Sequence, residues 1–290
     1  MDCNLELTHL MEKNPGVLFD TYYSNLKQAS SSFQLKTAEQ NQTLRRTCLG
    51  LCSPPRLPPQ LKEEYATAIR ISKLSLTNED EESFTILKNI YKFLTSTQEE
   101  PNKKGNHWEN IGFQGENPAT DLRAAGLMSI VHLLFFFEHN PTYFRDVYLL
   151  GTSEKGNFPF TVVGINLSKI VLDCMREGVL NKEFNKRQDV TVVMNLFYQG
   201  LWHFLAEYVR KLKGPHNIME FHRTLATVES FARDSPSKVL ENYEKFMNGA
   251  TGQQKSNFQS EIKATPKPNQ ASVEVSLTDI TLDSNSKATQ

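Results

Sequence analysis

The sequence predicts an all-α protein built on one multi-helix domain. Three observations carry this expectation. Between residues 60 and 247 apolar side chains recur at three- and four-residue spacing. Clusters of Gly, Pro, Asn and Lys punctuate these runs at intervals suited to helices, and no series of alternating apolar and polar segments marks a sheet in that span. No internal period of the kind that signals a solenoid is present.

Taken in order, residues 1–59 read as an N-terminal segment. Its first half holds one or two short helices with Val17, Leu18, Phe19, Tyr22, Tyr23 and Leu26 as the apolar face. From Ser30 to Pro59 a Ser-, Gln- and Thr-rich stretch ends in SPPRLPPQ, which cannot sustain a helix and predicts a linker. The helical domain spans 60–247. Gln60–Leu76 and Glu79–Leu94 form its first helix pair, the second carrying Phe84, Leu87, Ile90, Tyr91 and Leu94 on one face. A polar stretch and the loop HWENIGFQGENPATD follow, and then a strongly apolar helix to about Asn140, with Asn117 as N-cap and Pro118 as first helical residue. Further helices are expected at about 142–150, 159–178, 188–213, 216–233 and 236–247. The tail, 248–290, is too polar to offset its ordering entropy and reads as disordered. Within it, SVEVSLTDITL alternates as a strand added to a partner's sheet would, although a solvated tail is the simpler reading.

Composition narrows the function. A formal net charge of −1 over 290 residues provides no field to hold nucleic acid or an anionic surface. The longest apolar stretch, Gly126–Phe137, is interrupted by Ser129 and His132 and falls short of the about 20 residues a bilayer span requires. Direct membrane insertion is therefore not expected. Cys3, Cys48, Cys52 and Cys174 are widely spread, and the N-terminus lacks a secretory pattern, so a reducing cytosol is the expected compartment. Neither a phosphate-binding GxxxxGK[ST] string nor metal-ligand spacing occurs. No metal and no cofactor of the chain's own is expected. His132 and His203, inside apolar helices, read as core histidines.

The most unusual run is Trp108-Glu-Asn-Ile-Gly112-Phe113-Gln114-Gly115-Glu-Asn-Pro118-Ala-Thr-Asp121-Leu-Arg123, which crowds an aromatic anchor, two glycines, a glutamine and an arginine before a helix. Asp121 reads as a brace, placed to favour the helix start and to accept amides from the preceding loop. One continuous helix would set Arg123 above Leu127, Ile130 and Leu134, at the top of the apolar stripe. Spacing alone then favours a buried arginine, paired with a carboxylate or a loop carbonyl and pinning the loop. Trp108 and Phe113 read as core anchors.

The run WENIGFQGENPATDLR closely resembles the signature of the ELMO domain-containing family. The resemblance continues through NFPFTVVGINLSKIVLDCMREG and NLFYQGLWHFLAEYV, covering about residues 80–247. Leu122, where the family more often has Phe, is similar to the third of its animal branches. The resemblance implies an all-helical fold and GTPase-activating activity toward Arf-family small GTPases. Arg123 would be the essential arginine, Gln114 an assisting residue or a loop-bracing amide, and Trp108, Gly112, Phe113, Gly115, Pro118 and Asp121 would support the loop. GTP and magnesium would belong to the partner GTPase. A cytoplasmic protein brought to membranes, cilia or actin-rich structures by partners, a cytoskeletal partner among them, fits the same resemblance. Related scaffolds that assist exchange factors lack this arginine. The chain departs from the family at Ala124, where a glycine is usual. A non-catalytic scaffold or effector that binds a small GTPase or a cytoskeletal protein is the alternative.

Overall fold

The computed structural model describes residues 17–33, 54–217, 219 and 221–250. Among them every regular element is helical, so the expected all-α class holds. The N-terminal half contains α1 (Val17–Ser30), α2 (Pro59–Ile71), α3 (Glu81–Thr95) and two 3₁₀ turns, Asn106–Ile111 and Pro118–Ala124. The second half contains α4 (Met128–His139), α5 (Pro141–Thr152), α6 (Phe160–Arg176), α7 (Asn181–Arg187), α8 (Val190–Lys211), α9 (Phe221–Asp234) and α10 (Pro236–Ala250). The readings made for most of the linker and for the tail, including SVEVSLTDITL, lie outside the described residues, as do Cys3, Cys48 and Cys52.

α4 is the axis of the bundle. Every residue from Met128 to Glu138 is buried, as expected of a helix apolar on all sides, and α1, α3, α5, α6 and α8 pack around it. α8 is the second axis, carrying α2, α6 and α9. Between them lies an aromatic core in which Trp202 stacks on Phe160 at 5.0 Å, and Phe144 meets Phe160 and Phe136 edge-on at 5.1 Å.

The polar side chains inside this core have definite tasks. Ser168 Oγ donates to the Gly164 carbonyl at 3.0 Å, which leaves its lone pairs to accept from His132 Nδ1 at 3.0 Å. The proton therefore sits on Nδ1, and the unpartnered Nε2 is a bare lone pair rather than an orphaned N–H. The ring stacks on Tyr198 at 4.8 Å, and complete burial pushes its pKa down to about 3. Glu138 has a different task. Its carboxylate, 3% exposed, accepts the Leu18 and Phe19 amides at 3.2 and 2.8 Å, capping α1 from more than a hundred residues away. Phe19 then packs edge-on against Phe135 at 4.9 Å, and the Tyr22 hydroxyl meets Ser83 Oγ at 2.7 Å.

Three boundaries differ from the sequence reading. The helix expected to run unbroken to Asn140 is divided: a 3₁₀ turn and α4 meet at 100° across Gly126. The helix expected from residue 216 is described from Phe221, and ahead of it the His216 amide donates to the Lys155 carbonyl while its ring lies 2.9 Å from Thr224 Oγ1. α2 stops at Ile71, where Ser72 turns its hydroxyl back on the Ile69 carbonyl at 2.7 Å.

The environment of His132 makes stability fall on acidification. Its folded pKa lies far below 6.5, so the unfolded chain takes up a proton that the folded chain refuses. Stability is full above about pH 6.5 and is lost as pH falls through the window toward 3, by about 2 kcal/mol already at pH 5. Denaturant titrations at pH 7.5 and pH 5 should show this slope for the parent and a correspondingly flatter one for His132→Gln. Equal slopes would place the pH dependence elsewhere.

Candidate functional site

The run 105–127 is irregular yet anchored at each step. Trp108 is 0% exposed, with its ring edge-on to Tyr91 at 5.5 Å and to Phe113 at 5.7 Å, and its Nε1–H donates to the Lys103 carbonyl at 3.2 Å. The start of α6 supplies the next hold. Its early amides lack intrahelical acceptors, and Val162 N–H donates to the Gly112 carbonyl at 3.1 Å while Thr161 Oγ1 donates to the Ile111 carbonyl at 2.6 Å. Gly112 makes that approach feasible: its φ is +90°, and a Cβ there would lie 2.4 Å from the Phe160 nitrogen.

The second 3₁₀ turn is entered through Asn117, whose Oδ1 accepts the Ala119 amide at 3.2 Å, and through the buried ring of Pro118. Asp121 ties this turn back to the preceding loop: Oδ2 accepts the Gln114 amide at 2.7 Å, and Oδ1 lies 3.2 Å from the Thr120 hydroxyl, which is closer still to the Asn117 carbonyl at 2.8 Å. Partial burial nevertheless holds its pKa above the usual carboxylate value, against the opposing pull of the Gln114 amide, Thr120 and the charge of Arg123. The turn ends at Gly126, with φ +56° and a would-be Cβ 2.5 Å from both the Ser72 and Leu74 carbonyls. Leu127 N–H donates to the Leu74 carbonyl at 2.9 Å, so the chain reverses directly against the connection after α2.

This reversal sends Arg123 outward. The stripe reading required one continuous helix, and the break removes it: Leu122 is buried and Arg123 is exposed. Arg123 Nε donates to the Thr120 carbonyl at 2.7 Å. Among the described residues no carboxylate forms an ion pair with the guanidinium, and its two terminal nitrogens have no partner. Gln114, Glu116, Thr120 and Ala124 are exposed on the same loop. Gln114 braces the loop through its backbone amide, so its side-chain amide is left for other contacts. Gly115 differs from the other two glycines, because nothing lies within 4 Å of a Cβ built there. The roles of the Thr120 carbonyl and of Gly126 were missed from sequence. A glycine inside a run as apolar as 125–137 was the available signal.

Other chemistry is sparse among the described residues. No group of three His, Cys, Asp or Glu side chains is arranged to hold a metal ion. Cys174 is buried, which pushes its thiol up to about 12. His203 is half-buried, with Nδ1 3.1 Å from the Tyr143 hydroxyl. A cavity of about 410 Å³ lined by Phe135, His139, Leu196, Gln199, Tyr243 and Met247 lies toward the C-terminal end of α4, whereas the loop meets its N-terminal end. No single helix among the described residues is long and apolar enough to cross a membrane.

Residues 67–225 match the sequence profile of the ELMO/CED-12 family. The chain is 34% identical over 212 residues to "ELMO domain-containing protein 3" of Homo sapiens, covering 71% of this chain and 55% of that protein. It is 34% identical over 216 residues to the Bos taurus protein of the same name, covering 72% and 56%. "ELMO domain-containing protein B" of Dictyostelium discoideum is 25% identical over 150 residues, 52% of each chain. No solved structure matches. The chain thus spans about half the length of the curated relatives it matches, and it belongs to the ELMO/CED-12 family.

Three substitutions test the anchoring. Trp108→Ala should destabilise by about 3–5 kcal/mol, the range for deleting a buried aromatic. A thermal midpoint equal to the parent's would refute this. The glycines should separate: Gly112→Ala, with a positive φ and no room, should lose more than about 1 kcal/mol, while Gly115→Ala should stay within about 0.5 kcal/mol of the parent. Denaturant midpoints in the reverse order would show that the loop is not held as described.

Proposed function

We propose that this ELMO/CED-12 family chain activates GTP hydrolysis by an Arf or Arf-like small GTPase, lending Arg123 to the partner's active site. The chain would have no nucleotide site of its own, and GTP and magnesium would come with the GTPase. One observation carries the reading. Arg123 is exposed, oriented through Nε by the Thr120 carbonyl, and unpaired to any carboxylate among the described residues. A guanidinium held this way keeps two terminal nitrogens free, as a group that must bond two phosphate oxygens at once requires.

During phosphoryl transfer, charge builds on the equatorial oxygens and on the leaving oxygen, and the protein's task is to position and to neutralise. An arginine supplied in trans accelerates hydrolysis on the order of 10³ to 10⁵, equal to roughly 4–7 kcal/mol of transition-state stabilisation. The rigid loop supports this role because an arginine placed before binding loses little further freedom. Gln114, with its side chain exposed beside Gly115, would then contact the switch region or the attacking water, and Gly115 would leave room for the partner's backbone. Ala124 is exposed next to Arg123, so its methyl would meet the partner and leave the core untouched. Recruitment to membranes, cilia or actin-rich structures would follow the partners, a cytoskeletal protein among them, and the chain itself would act from the cytoplasm.

Arg123→Lys should abolish most of the acceleration in single-turnover assays across a panel of Arf-family GTPases. Its melting temperature and GTPase binding should match the parent's. Lysine keeps the charge and loses the planar fork, so the substitution is not conservative at such a site. Undiminished acceleration by a folded variant would remove Arg123 from the chemistry and leave a non-catalytic GTPase-binding module as the better reading.

A further inference from the structure

The connection from α1 to α2 ends in Pro54-Pro55-Arg56-Leu57-Pro58-Pro59, and no role in the loop chemistry uses it. In the structure two of its residues, three apart, touch the domain. Pro54 and Leu57 are half-buried, whereas Pro55, Arg56, Pro58 and Pro59 are exposed. A polyproline II helix has three residues per turn, so residues i and i+3 share an edge. One edge, Pro54 and Leu57, therefore lies on the domain, while Pro55, Arg56 and Pro58 face solvent, and Pro59 already opens α2. Pro58 has φ −65° and ψ 161°, within the polyproline II region.

Proline donates no backbone hydrogen bond, so at its prolines such a segment can be held only through carbonyls. Two asparagines one turn apart on α7 hold it that way. Asn181 Nδ2 donates to the Pro55 carbonyl at 2.8 Å and Asn185 Nδ2 to the Arg56 carbonyl at 3.1 Å. Among the described residues no donor reaches the Leu57 carbonyl. The charges around the strap are one-sided. Arg56, Lys62, Lys182 and Lys186 are exposed, while Glu63, exposed as well, is paired with Arg70 at 2.6 Å and Glu64 accepts the Val190 amide at 3.0 Å.

We propose that this strap is a preformed docking site for a proline-recognition domain whose aromatic groove takes the Pro55 and Pro58 rings and whose acidic flank takes Arg56. Grooves of this kind bind proline pairs spaced as these are and gain from a ligand already in the polyproline II form, with a donor for a free carbonyl such as that of Leu57. Because α7 orders the strap on folding, the ordering cost does not fall on binding.

The test uses the full chain, titrated against isotope-labelled, purified SH3, WW and EVH1 domains. Saturable binding is expected for at least one of them, about tenfold weaker with Pro55→Ala/Pro58→Ala and with Arg56→Glu, in variants that melt with the parent. The Asn185→Ala variant should weaken binding toward the level of a free peptide of residues 52–61. No binding across the panel, or binding that survives the proline substitutions, would overturn the proposal. So would binding to phosphatidylserine vesicles that is lost with Lys182→Glu/Lys186→Glu and kept in the proline variants.

Discussion

The geometry of the site depends on one backbone reversal, at Gly126. Its positive φ and the two carbonyls of Ser72 and Leu74 at 2.5 Å from a would-be Cβ leave no alternative to glycine there. The amide of Leu127 closes onto Leu74 in the same contact. From this point α4 drops into the core with every side buried, and the 3₁₀ turn before it is thrown 100° away from the axis. Arg123 is outside because Leu127, four residues later, is inside.

Around this reversal the loop uses the strong holds of a core to support groups that the core does not use. Trp108, Phe113, Pro118 and Leu122 are buried, and the carbonyls of Ile111 and Gly112 satisfy donors at the start of α6. The exposed residues alternate with these anchors: Gln114 follows Phe113, and Arg123 follows Leu122. A loop held only by solvent-exposed hydrogen bonds would offer the same residues at a greater loss of entropy on meeting a partner.

Much of this was legible in the residues. Helical periodicity located the longer helices of the domain but not the short α7, and Asn117-Pro118 marked the start of the turn that bears Arg123, because caps and proline act locally. The direction of Arg123 was not legible. Apolar residues run through Gly126 without pause, so a 3.6-residue rotation carried across it put the arginine on the wrong side, and the obstruction that ends the helix comes from Ser72 and Leu74, about fifty residues earlier. The difference between Gly112 and Gly115 was equally hidden, since it depends on the distance to Phe160 in one case and on open space in the other. Nor could spacing show that Glu138, one more residue of a buried helix, serves the amides of α1.

That last contact bears on how the chain is made. α1 has 14 residues, too few to be stable alone in water. The carboxylate that satisfies its first amides is 119 residues further on from Phe19. At ribosomal rates of 5–20 residues per second, α1 emerges about 6–24 s before its cap exists. For that interval Phe19 lacks the Phe135 ring it packs against, and chaperones that hold exposed apolar segments have a defined window in which to act. Vectorial synthesis thus makes the first helix described in the chain wait for the fourth before its amides can be capped.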